Sequence, residues 1–138
     1  MLQSSEPLVR DVLEGKDPRI ISTKTNILAT QAANLMATER VGIIIVVDDV
    51  GKFCGILSER DIVRAFGRFG AKAAQVTVGD IATRKVTACV TETPLARVQS
   101  LMKDGGFRHM PVVEDGRVKG IISIGDILGF LARAEEPA

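Results

Sequence analysis

The sequence predicts an α/β protein of the α+β kind, built from two pseudo-symmetric repeats. Each repeat is expected to be a small sheet flanked by helices, and the two are expected to pack through their sheets. Three observations carry this reading. Gly55-Ile-Leu-Ser-Glu-Arg-Asp-Ile-Val63 recurs as Gly120-Ile-Ile-Ser-Ile-Gly-Asp-Ile-Leu128, with glycine, serine and aspartate offset by 65 residues. Upstream, Val46-Val47-Asp48 matches Val112-Val113-Glu114, and Leu35-Met36 matches Leu101-Met102, both at an offset of 66. The unbroken apolar run Ile43–Val47 reads as a strand covered on both faces. A half of about 60 residues is marginal alone, so packing the two halves together would bury both sheets. The repeats span 8–69 and 76–134, with 70–75 as a short connector.

Each repeat repeats the order of elements. A short helix (Val9–Leu13; Val78–Ala82) precedes an extended piece, Ile20–Thr23 or Val86–Cys89. An amphipathic helix follows, with Ile27, Leu28, Ala32, Leu35 and Met36 as one stripe and Leu95, Val98, Leu101 and Met102 as its counterpart. Thr93 is the expected N-cap of the second, with Pro94 at its first helical position. Gly105-Gly106 ends that helix and is no phosphate loop. Two strands come next, Val41–Val47 with Phe53–Leu57, and His109–Val113 with Val118–Ile122. Glu114-Asp-Gly116 has tight-turn chemistry, and Asp48-Asp-Val-Gly51 is a longer version. The last helix of each repeat starts at the twin motif, with Ser58 or Ser123 as N-cap and Asp61 or Asp126 in the first turn.

Composition narrows the function classes. The chain has 138 residues, 46% of them apolar, which is enough for a core. A net charge of +1, with both signs mixed, gives no basic stripe for nucleic acid. Cys54 and Cys89 lack ligand spacing and read as buried reduced thiols. No apolar run approaches membrane-spanning length. The first residues, Met1-Leu-Gln-Ser-Ser-Glu-Pro7, lack the pattern of a signal peptide, so a cytoplasmic chain is expected. No HExxH, GxSxG, Walker A or CxxC motif occurs, and one histidine limits general-base chemistry; the reading is not an enzyme, and no metal is required.

The chemistry concentrates in the twin motif. A hydroxyl and a carboxylate at a helix N-terminus cap the helix, and they also suit a phosphorylated sugar. Carboxylate oxygens accept from a diol, while free N–H groups and the helix dipole favour phosphate. Capping and binding are compatible. Arg60, one position before Asp61, separates them there, because a cap has no use for a cation beside the aspartate.

Two copies of Gly-x-x-Ser-x-x-Asp in this order, with Val9-x-Asp11-Val12 and Val46-Val47-Asp48 and their counterparts, resemble a tandem pair of cystathionine-β-synthase (CBS) domains, a Bateman module. The likeness covers about Leu8 to Ala134. Ser58-Glu-Arg-Asp61 and Phe107-Arg-His-Met-Pro111 resemble small stand-alone bacterial two-domain proteins of that family. The resemblance implies a regulatory module that binds an adenosine-containing ligand (AMP, ATP or NAD) in clefts between the repeats, forms a homodimer, and acts on an unknown effector protein. It implies one cleft with Ile21, Ser22, Thr23, Gly42, Ile43, Arg108, His109, Ser123 and Asp126. The other would have Ser58, Arg60, Asp61, Thr87, Ala88, Cys89, Met110 and Pro111. The aspartates would take ribose hydroxyls, and the cations would take phosphate. Gly42-Ile43 stands where the second repeat has Arg108-His109, and Gly125 where the first has Arg60, so the two clefts are expected to differ. The alternative is a structural dimerisation module without ligand. The homodimer is tested by sedimentation equilibrium at micromolar concentration, where a single species near 14.8 kDa would exclude it.

Overall fold

The structure, a computed structural model, describes residues 6–17 and 19–135. The first five residues, part of the stretch read as lacking a signal sequence, lie outside the described residues. The fold is mixed α/β. Eleven elements run in order as α1 (Val9–Glu14), β1 (Ser22–Lys24), α2 (Ala29–Glu39), β2 (Ile43–Val47), β3 (Phe53–Ser58), α3 (Glu59–Phe69), α4 (Val78–Ile81), α5 (Leu95–Gly105), β4 (His109–Glu114), β5 (Arg117–Ser123) and α6 (Ile124–Ala134). The connector is itself ordered into a 3₁₀ helix, Gly70–Gln75.

Two compact units form, and they cut across the sequence repeats. Ile20–Val86 make the central unit, and the described residues up to Arg19 and from Thr87 onward make the terminal unit. The leading helix of each repeat packs with the body of the other. Backbone hydrogen bonds account for this. Val9 N–H and Arg10 N–H donate to the carbonyls of Thr93 and Thr91, and Leu95 N–H donates to that of Pro7. In the central unit Val78 N–H and Gly79 N–H donate to Ile27 and Thr25, and Ala29 N–H donates to Val76. Free donors at a helix start need partners, and each short helix finds them at the start of a longer one.

In the central unit β1 pairs parallel with β2, and β2 pairs antiparallel with β3. Its core gathers Ile44, Val46, Leu57, Ala32, Met36 and Val78. In the terminal unit β4 and β5 pair antiparallel, and the expected extended piece 86–89 contributes one parallel bridge, Cys89 to Val112. Val9, Leu95, Val98, Met102, Met110, Val112, Ile122 and Ile127 fill its core. The β4–β5 turn has Asp115 and Gly116 at φ 53° and 74°, the left-handed pair that an Asp-Gly hairpin turn uses.

Three local expectations shift. Pro94, in extended conformation, is itself the N-cap of α5, while the Thr93 hydroxyl accepts from Val90 N–H. Leu28 precedes α2 and stays exposed, outside the apolar stripe. Cys54 is half-buried where full burial was expected; Cys89 is buried, and desolvation, with Glu114 nearby, pushes its thiol up to about 11.

The two motif glycines meet different neighbours. A Cβ on Gly55 would stand 2.4 Å from the Thr83 carbonyl oxygen, whereas one on Gly120 would meet the end of the Leu13 side chain at 3.0 Å. Ile56 and Thr83 exchange both backbone hydrogen bonds at 2.9 Å, so the backbone at Gly55 cannot retreat without breaking a bridge. Gly55→Ala is expected to cost about 1–3 kcal/mol and Gly120→Ala less, because a leucine tip can turn aside. Urea denaturation of both variants checks this; equal losses would refute it.

Candidate functional site

The twin motif forms the same corner twice. β3 ends at Ser58 and α3 begins; β5 ends at Ser123 and α6 begins. Ser58 N–H donates to Asp61 Oδ2 at 2.9 Å and Asp61 N–H donates to Ser58 Oγ at 3.2 Å. The second corner repeats this, at 2.9 Å from Ser123 N–H to Asp126 Oδ2 and 3.0 Å from Asp126 N–H to Ser123 Oγ. These are reciprocal capping boxes with aspartate in the third position. The corners also hold the entry of the preceding strand. Glu59 N–H donates to the Gly42 carbonyl and Ile124 N–H to the Arg108 carbonyl, each at 2.9 Å. Gly42 and Arg108 are thus equivalent in space within their units, as their spacing requires.

The carboxylates differ beyond the cap. Asp61 is buried at 6% exposure, and the Thr83 hydroxyl donates to its Oδ1 at 3.1 Å and lies 3.4 Å from Oδ2. Asp126 is half-buried; Lys16 Nζ donates to its Oδ2 at 2.6 Å, and Oδ1 accepts from no described residue. Burial pushes the Asp126 carboxyl up, but hydrogen bonds from Lys16 and Ser123 outweigh it and hold the group below the ordinary value. His109 pairs with Ser123 across β4–β5, which brings its ring to the same corner. Desolvation lowers the imidazole pKa first; the Lys16 and Arg108 charges lower it further, against an upward pull from Asp126. The Arg108 side chain is exposed and forms no ion pair among the described residues.

The terminal unit therefore assembles Arg108, His109, Ser123 and Asp126. Of the residues expected in the other cleft, Met110, Pro111 and Cys89 are buried there, while Thr87 and Ala88 are exposed. Cys89 N–H donates to the Pro111 carbonyl at 3.0 Å, so Cys89 and Pro111 serve the strand bridge, while Met110 lies in the core. Ile21, Ser22, Thr23, Gly42 and Ile43 belong to the central unit with Ser58, Arg60 and Asp61. Thr23 and Ile43 are buried, Ser22 and Arg60 exposed, and Ile21 and Gly42 intermediate. Among the described residues no group of three or more His, Cys, Asp and Glu could hold a metal, and no helix is long and apolar enough to cross a membrane.

Comparison with known proteins decides the family. The CBS domain model matches twice, over residues 9–68 and 78–133. The chain belongs to the CBS domain family. It is similar to the CBS-domain containing protein ATU1752 from Agrobacterium tumefaciens, at 32% identity and TM-score 0.85, covering 94% of this chain and 96% of that one. The CBS domain pair of protein MJ0100, solved with 5′-methylthioadenosine and S-adenosyl-L-methionine, matches at 26% identity and TM-score 0.81 over 95% of this chain and all of its own (100%). The mitochondrial CBS domain-containing protein CBSX3 of Arabidopsis thaliana is 31% identical over 128 residues, 87% of this chain. This chain spans 65% and 62% of the lengths of the curated relatives that head the comparison.

Two residues at the CBS corners escaped the sequence reading. Thr83 and Lys16 lie 22 and 110 positions from the aspartates they meet. Local pattern carries no signal for either. Nor does the internal repeat: in the register that pairs Val9–Val12 with Val78–Ile81, Lys16 matches Lys85, which forms no ion pair among the described residues.

His109 is the sole histidine, so its ring gives one imidazole signal by nuclear magnetic resonance. It is expected to titrate below 6.5 in the ligand-free protein. Its stabilising contribution is present above the unfolded value and is lost as pH falls through the folded one. Asp126→Asn removes the upward pull and should lower the midpoint further; a wild-type midpoint above 6.5 would contradict the environment described.

Proposed function

We propose that this chain is a regulatory module, not an enzyme, that binds an adenosine-containing ligand at the Asp126 corner and passes the result to a partner protein. The observation that carries the reading is the Asp126 carboxylate. It is held in place by its cap, keeps Oδ1 for a ribose hydroxyl, and has Arg108 and His109 at the same corner. The N-terminus of α6, 11 residues long, adds its dipole in favour of an anion. The adenosine compounds bound to the MJ0100 CBS pair support the ligand class. Arg108 and His109 favour a phosphorylated member of it, such as AMP, ATP or NAD.

Asp61 takes the structural role of the alternative reading. Both its oxygens lie within hydrogen-bonding reach of donors inside the central unit, and little of the residue reaches solvent. One ligand per chain is therefore proposed. A homodimer completes the reading; exposed Val63 and Phe66 on α3, and Leu128 on α6, are apolar residues a second copy would cover.

The test is thermal denaturation with AMP, ATP and NAD against GMP and inorganic phosphate. Ligand at about 100 times its Kd stabilises the folded state by about 2.7 kcal/mol per site, which raises Tm by several degrees. Asp126→Asn should abolish the rise and Asp61→Asn should keep it at reduced starting Tm. A Tm indifferent to every adenine ligand at millimolar concentration would leave the structural module.

A further inference from the structure

Lys16 follows α1 and sends its ammonium to two acceptors, Asp126 Oδ2 at 2.6 Å and the Ile121 carbonyl at 2.7 Å. The side chains of Lys16 and Asp126 keep 34% and 27% of their surface, so solvent and solutes reach the pair. Lys16 is also near enough to His109 for its charge to disfavour the imidazolium, and so is Arg108. With the imidazole neutral, two cations and one carboxylate leave a net positive charge at the α6 corner.

The central unit shows that this charge is surplus to the cap. There a neutral hydroxyl, Thr83, satisfies Asp61. Lys85, which matches Lys16 in the repeat register, is exposed and forms no ion pair among the described residues. The same corner thus closes with or without an ammonium.

We propose that Lys16 is a ligand-binding residue of the Asp126 corner that makes it select a phosphorylated ribose over a neutral one. The inference rests on the nucleotide reading above and adds its selectivity. One hydroxyl of a vicinal diol takes Asp126 Oδ1, and the second competes with the ammonium at Oδ2. A neutral nucleoside leaves the displaced ammonium without an anion. A phosphate supplies one, and the flexible four-carbon stem lets the ammonium turn toward it. Charge-assisted hydrogen bonds of this kind are strong enough to set the preference. Lys16 therefore weakens neutral ligands and strengthens anionic ones, in addition to whatever Arg108 and His109 contribute.

The experiment is calorimetric titration of wild type, Lys16→Met and Lys16→Arg with AMP and with adenosine, together with the His109 imidazole signal titrated against inorganic phosphate. In Lys16→Met, AMP affinity should fall about tenfold or more while adenosine affinity holds or rises. Lys16→Arg should retain the AMP preference, which separates charge from a loss of folding. Equal changes for both ligands in Lys16→Met would overturn the proposal. If wild type binds neither AMP nor adenosine, the nucleotide reading falls and the phosphate titration decides for Lys16. A phosphate-induced rise in the His109 midpoint that Lys16→Met abolishes sustains an anion-binding lysine. An equal rise in both proteins, or none in wild type, overturns it.

Discussion

The reciprocal hydrogen bonds of the Ser-x-x-Asp corner are the constraint on which the rest depends. The serine takes the aspartate N–H, the aspartate takes the serine N–H, and a strand becomes a helix within one residue. A third bond, from the first helical N–H to the carbonyl that opens the neighbouring strand, locks the hairpin to the corner. Residues at the start of the strand therefore cannot drift from the carboxylate. Arg108 and His109 stand near Asp126 because backbone bonds put them there, without any direct bond between the side chains. Each capping interaction is worth about 1 kcal/mol, modest alone, but all three act on one turn.

The two corners differ in what meets their outward carboxylate oxygens. Thr83 closes Asp61 inside the central unit and ties it to a segment already bridged to β3. That bridge brings the Thr83 carbonyl against Gly55, so the glycine, the threonine and the aspartate form one arrangement. At Asp126 the corresponding oxygen accepts from no described residue, and Lys16 beside it is positive. Pseudo-symmetry in backbone has been kept while the chemistry has diverged.

Most of the fold was legible in the repeat. A fixed spacing of glycine, serine and aspartate determines a strand end, a cap and a helical turn, all local features that sequence pattern reports well. The resemblance put Arg108 and His109 on the Asp126 side; the repeat by itself shows only that they stand where the first half has Gly42-Ile43. The exchange of leading helices was not legible. Val9–Leu13 has the apolar spacing to pack on either repeat, and the decision lies in backbone donors meeting Thr91 and Thr93. Lys16 was missed as a consequence, because its partner becomes visible only once α1 is placed beside β5 and α6. Thr93 failed for a smaller cause: its hydroxyl serves the turn that begins at Val90, which leaves Pro94 to start the helix.

Magnitudes argue against reading Lys16 as a mere structural strut. A partly exposed lysine–carboxylate pair contributes about 0–1 kcal/mol after the entropy of holding a long side chain. A single hydroxyl–carboxylate hydrogen bond, as Thr83 makes, is worth at least as much and immobilises far less. Stability alone therefore gives no advantage to the ammonium over the hydroxyl. The difference lies in what each does to an incoming ligand. The hydroxyl closes its carboxylate and adds no charge. The ammonium can leave, because its stem is flexible and the site is open to solvent, and it carries positive charge to an anion nearby. A weak, exposed pair at a carboxylate is a poor strut but would suit a counter-ion of the proposed ligand site.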